Sequence, residues 1–225
     1  MTDVAPRTVL VFSDIACPWA SVAVHRLHAC RSRLGLDGEV ELDHHAFPLE
    51  LVNEGPIDKQ VFDAEVPVAG ALVPDAGWQM WQRPAAEWPV TTVPALEAVQ
   101  AAKAQGLAAS AALDLALRRA LFAESRCISL RPVVLEVARA CPEVDATALA
   151  EALDDGRARR QVMDDLERAQ TDEVQGSPHL FLPDGSDTHN PGVELHWQGA
   201  HGRGFPVVDA DDPSVYDELL RRAAS

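Results

Sequence analysis

Long apolar runs are missing from this chain. The run Val9 to Phe12 is only four residues long and is closed by Asp14, too short for the apolar centre of an export signal. No stretch approaches the roughly 20 apolar residues that a membrane-crossing helix needs. Positive charge is scarce too: 19 lysines and arginines face 35 aspartates and glutamates, a formal net charge of -16, with the acids scattered along the chain. The summed field repels phosphate backbones and anionic headgroups, so neither nucleic acid nor a membrane is expected as a partner. Cysteine is sparse. Cys17, Cys30, Cys127 and Cys141 lie far apart, and with no export signal they read as free thiols of a cytoplasmic protein rather than as a disulfide framework.

What is present is a globular, helix-rich composition. The 225 residues, 47% hydrophobic and 24% charged, suffice for a sizeable core. Thr8 to Ser13 (TVLVFS) is β-branched and apolar, which predicts a buried strand. Ala23, Val24, Leu27, Cys30 and Leu34 then share one stripe at helical spacing, and Gly35 ends the pattern. Val40, Leu42, His44 and Ala46 alternate with Glu41, Asp43 and His45 up to Pro48, giving a second strand. The unit is βαβ. A right-handed crossover makes its strands parallel and puts Cys17 at the rim where the first strand hands over to the helix.

Residues 49 to 93 contain Pro56, Pro67, Pro74, Pro84 and Pro89, so irregular structure with short helices is predicted there. Trp78, Trp81 and Trp88 in this stretch read as anchors of a long loop on the core rather than as cleft residues. Pro94 to Gln105, Leu107 to Phe122, Leu130 to Ala140, Thr147 to Asp154 and Arg157 to Thr171 read as consecutive helices. After them Val174 to Leu182 is strand-like, Pro183-Asp184-Gly185 is a turn, and Glu194 to Gln198 is predicted to return as the neighbouring strand. Asp212-Pro213 opens a last amphipathic helix carrying Val215, Tyr216, Leu219 and Ala223. The predicted class is α/β, in the order βαβ, helical insert, ββα, with residues 1-60 and 172-225 forming one domain around an insertion domain at 61-171.

A βαβ and a ββα unit with a cysteine at the first strand-to-helix junction match the thioredoxin fold, and the helical block between them resembles the insertion of the DsbA-like family. Ser13-Asp14-Ile15-Ala16-Cys17-Pro18-Trp19 is similar to the active-site entry of its cytoplasmic FrnE-like branch, where an acidic residue leads into Cys-Pro-Trp-Cys. Here the fourth position is Ala20. Val174-Gln175-Gly176-Ser177-Pro178 resembles the family's second signature, a proline with a cis peptide bond that faces the cysteine. Ala120 to Ile128 (ALFAESRCI) and the helix after it resemble the second half of the insertion. The resemblance implies a thioredoxin fold with a large all-helical insertion and thiol-disulfide chemistry at Cys17. It also implies substrate contacts at Pro18, Trp19, Ser177 and Pro178, with Ser177 pairing with the substrate backbone.

The first turn of a helix offers free backbone N–H groups and the positive end of its dipole, so the Cys17 thiolate is expected to be stabilised. Pro18 sits where no N–H is needed. One turn on, where a dithiol enzyme carries its resolving cysteine, stands Ala20. Cys30 lies thirteen residues along the helix. At about 1.5 Å per residue it is roughly 19 Å away, beyond the roughly 7 Å limit for a disulfide. Cys127 is kept as a candidate resolving thiol, and Cys141 reads as a packing residue. His25, His28, His44 and His45 complete no recognised ligand spacing, so no metal is expected.

The sequence therefore predicts a monothiol oxidoreductase or isomerase that forms a mixed disulfide at Cys17 with a thiol or disulfide substrate, small molecule or protein. An external thiol would resolve it. No tightly bound cofactor is expected, and a low-molecular-weight thiol is the candidate co-substrate. Two alternatives share the fold. One is an enzyme like the kappa-class glutathione transferases or the 2-hydroxychromene-2-carboxylate isomerases, which usually place a serine where Cys17 stands. The other is a redox-inactive binding protein. Substrate, resolving thiol and oligomeric state, a homodimer included, stay open.

Overall fold

A computed structural model describes residues 3–225, so the first two residues of the expected outer domain lie outside the described chain. Strand β1 (Thr8–Ser13), helix α1 (Pro18–Arg33) and strand β2 (Glu41–Ala46) form the opening βαβ unit. The two strands are parallel, in register from Thr8 against Glu41 to Ser13 against Ala46. All six residues of β1 are buried, which explains its unbroken apolar run: both faces of the strand are covered. Val9 and Val11 pack towards α1, while Leu10 and Phe12 pack on the opposite side with Phe47 and Phe181. Helix α1 stops where predicted. Gly35 takes a left-handed φ of 71°, and the N–H groups of Gly35 and Leu36 return to the carbonyls of Ser32 and Arg31.

The stretch predicted as irregular contains a short helix α2 (Leu49–Val52), the 12-residue helix α3 (Lys59–Gly70) and two single 3-10 turns. Helix α3 forms despite Pro67. Its Asp58 cap accepts from the N–H groups of Gln60 and Val61, and Phe62, Glu65, Val66 and Ala69 give it a buried stripe. Pro67 stands on the solvent side. The helical block follows: α4 (Val93–Ala102), α5 (Leu107–Phe122), α6 (Arg131–Arg139), α7 (Ala146–Asp154) and α8 (Arg157–Ala169). Its boundaries lie close to those read from the sequence. The tryptophans anchor it as expected: Trp78 stacks on Phe122 at 4.3 Å, and Trp88 meets both Phe62 and Trp81 edge-on.

The C-terminal part differs from the prediction in two ways. The expected strand from Val174 to Leu182 shrinks to β3 (His179–Phe181), and its hairpin partner is β4 (Asp187–His189), not Glu194 to Gln198. The main sheet has the order β2-β1-β3-β4, with β3 antiparallel to β1. Strand β5 (Val193–Gln198) pairs instead with β6 (Phe205–Asp211) in a separate two-stranded sheet. The physical reason is the short turn: Pro183 to Ser186 brings the chain straight back, and the strand that returns first takes the edge of β3. The chain is then redirected at Gly192, where φ is 72° and a Cβ would stand 2.3 Å from the Asp212 carbonyl oxygen. Helix α9 (Val215–Ala224) begins two residues after Pro213, because Asp212 folds a turn by accepting from the Ser214 N–H. It covers the α1 side of the sheet with Tyr216, Leu219, Leu220 and Ala223.

Candidate active site

The loop between β1 and α1 is built around a buried carboxyl. Asp14 is 0% exposed; one oxygen accepts from the Ala16 N–H at 2.7 Å, the other from the Leu49 N–H at 2.9 Å and the Thr92 hydroxyl at 2.7 Å. The Asp14 N–H donates to the Ser177 hydroxyl at 2.9 Å. One residue thus joins the cysteine loop to α2, to the start of α4 and to the proline signature. Glu50 lies beside it and accepts from the N–H groups of Thr92 and Val93 at the α4 N-terminus. Burial, then the charge of Glu50, pushes the Asp14 carboxyl up to about 7. From behind, the buried Arg118 of α5 donates to the Asp14 carbonyl and to the hydroxyls of Ser13 and Ser21. Asp114 balances its charge at 2.6 Å.

Cys17 is the N-cap of α1, and its sulfur faces two groups. It accepts from the Ala20 N–H at 3.5 Å and donates to the Ser177 carbonyl oxygen at 3.2 Å. The Ser177–Pro178 peptide bond is cis. At Gly176 a Cβ would stand 2.7 Å from Nε2 of His189, which β4 brings against the signature, so a larger residue there would displace that imidazole. The fold therefore places the Cys17 sulfur against the Ser177 carbonyl, 160 residues on, next to the cis bond to Pro178.

The surroundings of the sulfur work against the expected thiolate. The sulfur is only 6% exposed, and burial, followed by the charge of Glu65, pushes the Cys17 thiol up to about 12, with Asp14 adding in the same sense. The helix N-terminus does act through the Ala20 N–H, and the Ser177 side chain acts in the same sense, but together they do not offset desolvation and two carboxyls. Trp19 borders the cavity, and its indole N–H donates to Glu65 of α3 at 2.9 Å. Burial pushes the Glu65 carboxyl up to about 7 against the pull of that indole.

Two cavities share Trp19 and Glu65, and the first of them reaches the sulfur. One, of about 500 Å³, is bordered by Cys17, Pro18, Phe62 and His201; the other, of about 520 Å³, by Ser177, His189, Asn190 and Glu194. A larger cavity of about 720 Å³ opens between α1 and α5 but holds neither Cys17 nor Ser177. Cys127 stands in the α5–α6 loop and borders none of these three, whereas Cys30 packs in the core beside α9. Among the described residues no three His, Cys, Asp or Glu side chains converge as metal ligands. His44 faces Asp114 and His45 bonds Asp165, each within its own buried pair. Sequence reasoning missed Glu65, Glu50, Thr92 and Arg118. The signal for Glu65 was its place on the buried stripe of a helix that Pro67 concealed.

A cysteine at the N-terminus of the first helix, facing a cis-proline across a β2-β1-β3-β4 sheet, defines a thioredoxin-fold protein. The model of the DSBA-like thioredoxin domain matches residues 8–201, and the chain belongs to that family. No curated protein matches the chain. Among solved structures it is similar to a probable DsbA oxidoreductase from Streptomyces coelicolor, at 21% identity and a TM-score of 0.64, covering 96% of this chain and 89% of that one. It is also similar to the cytosolic disulfide reductase DsbM from Pseudomonas aeruginosa, at 20% identity and a TM-score of 0.55 over 96% and 95% of the two chains. A 2-hydroxychromene-2-carboxylate isomerase matches at 19% identity and a TM-score of 0.58, over 80% of this chain and 87% of that one. At these identities the likeness is one of fold.

Proposed function

We propose that this protein is a cytoplasmic thiol-disulfide oxidoreductase or isomerase of the FrnE-like kind that works through Cys17 alone. Deprotonated Cys17 attacks one sulfur of a disulfide, the substrate S–S bond breaks as the Cys17 mixed disulfide forms, and an external thiol then releases Cys17 by the same exchange. The observation that carries the reading is the 3.2 Å approach of the Cys17 sulfur to the Ser177 carbonyl, at the edge of a cavity able to take a small thiol or an extended peptide. Ala20, fully buried one turn on, supplies no second thiol. The cytosolic DsbM neighbour, which has also been solved with GSH, supports a low-molecular-weight thiol as the resolving partner. Pro18, Trp19, Ser177 and Pro178 frame the bound partner, and the reading needs neither a metal nor a resident cofactor.

The test is mass spectrometry of the Cys17 peptide from protein trapped in acid inside cells, alongside Cys17→Ser. A disulfide adduct on Cys17, absent in the variant, is expected. Cys17 that stays unmodified under a disulfide challenge ends the reading. The isomerase neighbour supports a second reading, glutathione-dependent isomerisation or transfer. Turnover that survives in Cys17→Ser favours it.

A further inference from the structure

A thiol as buried as Cys17 must lose its proton before it can attack, so the site needs an acceptor. The groups that bear on the sulfur are Glu65 and Asp14. Asp14 is fully enclosed, and both its oxygens are occupied by Ala16, Leu49 and Thr92, leaving no path from it to solvent. Glu65 differs. One oxygen is held by the Trp19 indole, two residues after the cysteine; among the described residues no hydrogen bond holds the other, and the side chain borders both the cavity that reaches the sulfur and the neighbouring one beside Ser177.

We propose that Glu65 is the proton acceptor and donor for Cys17, carried into the site by α3 and aimed by the Trp19 indole. This rests on the reading of Cys17 as the nucleophile. In the forward step the Cys17 S–H proton passes to the Glu65 carboxylate. The sulfur bonds to the substrate disulfide while the substrate S–S bond breaks, and the leaving thiolate takes the proton back from Glu65. Protons and electrons balance within the exchange, and no further reductant is needed. Trp19 thereby gains a task beyond packing: its N–H fixes one oxygen so that the other faces the cavity.

The groups around this pair come from every neighbouring element: Asp14 from the β1–α1 loop, Glu50 from α2, Asp58 at the α3 cap, His189 and Glu194 from β4 and β5, and His201 from the β5–β6 turn. No lysine or arginine borders either cavity, so no fixed cation competes for the role of thiolate stabiliser. A carboxyl held near 7 suits a base that works at neutral pH.

The experiment follows the rate of Cys17 adduct formation from bis(2-hydroxyethyl) disulfide between pH 5 and 10. The full chain is compared with Glu65→Gln, which keeps an oxygen for the Trp19 bond, and with Glu65→Ala in acetate. The parent rate is expected to rise with a midpoint near 7 and to fall on the order of a hundredfold at pH 7 in Glu65→Gln. Acetate should restore part of the rate to Glu65→Ala. If Glu65 merely repels the thiolate, Glu65→Gln lowers the thiol pKa and reacts faster at pH 7, and the inference is overturned. A parent profile with no rise near pH 7 overturns it without any variant. No adduct on Cys17 at any pH ends the parent reading too, whereas an adduct with an unchanged profile removes only the role of Glu65.

Discussion

The guanidinium of Arg118 donates to the carbonyl oxygen of Asp14 at 3.0 Å, and both residues are buried. A helix of the insert thereby grips the loop that presents Cys17. The same guanidinium holds Ser13, Ser21 and both oxygens of Asp114, so every direction of its planar fork is used.

Removing that fork leaves the Asp114 carboxylate buried without its partner. Arg118→Met is expected to cost about 3–5 kcal/mol in urea unfolding, and Arg118→Lys to recover only part, because an ammonium lacks the bidentate geometry. A loss under about 1 kcal/mol would show that the insert does not brace the loop.

Ser177 joins the proline signature to that loop by two bonds, one through its hydroxyl and one through its carbonyl. Ser177→Ala strips the acceptor from the buried Asp14 N–H but leaves the carbonyl facing Cys17. A stability loss of about 1–3 kcal/mol is expected in urea unfolding. The Ser177 side chain also helps to hold the Cys17 thiol down, so its loss should push that thiol further up. A stability loss under about 0.5 kcal/mol would show that the Asp14 N–H finds another acceptor.

Ala20 is completely buried one turn from Cys17, with its N–H towards the sulfur. In Ala20→Cys, the second sulfur lies within disulfide reach of the first. Oxidation should give an intramolecular disulfide, seen as a loss of two titratable thiols with no change in mass beyond the loss of two hydrogen atoms. Persistence of single adducts on Cys17 alone would show that the helix start cannot close the bridge.

Glu65 is held near 7 in the folded chain against an ordinary 4.5. Between those values the folded state keeps a proton that the unfolded state has released, so this group's contribution to stability falls as pH rises from 4.5 to about 7 and is flat on either side. The full drop is at most about 3 kcal/mol. Asp14 acts in the same sense, while the depressed His28 and His44 act in the opposite one, losing stability as pH falls below 6.5. The stability of Glu65→Gln relative to the parent should therefore climb between pH 4.5 and 7, measured by urea unfolding at each pH. A flat difference would place Glu65 at its ordinary value.

The opening βαβ unit was legible because its periods of 2 and 3.6 are uninterrupted and its cap residues stand where the backbone needs them. The five helices of the insert were legible for the same reason. Helix α3 was hidden because Pro67 reads as a break, although a proline facing solvent in the third turn leaves the buried stripe of Phe62, Glu65 and Ala69 intact. The strand order after Pro178 was not legible: β4 and β5 are both plausible partners for β3 in composition, and only the length of the turn decides between them. At the site, the cysteine and the proline were visible as motifs. The ionisation of Cys17 was not, because it is set first by burial and then by Glu65, a carboxyl that comes from 48 residues further along the chain.

The departure of β5 from the main sheet also bears on self-association. It leaves β4, three residues long, as the outer strand on that side, with Asp187 and His189 both exposed. So short and polar a border is a poor template for another chain to extend by backbone pairing. Had the six residues of β5 taken that position, the sheet would have ended in a longer ladder of open N–H and C=O groups. By pairing them with β6 the chain keeps that longer ladder away from the main sheet, and strand addition through the β4 border is disfavoured.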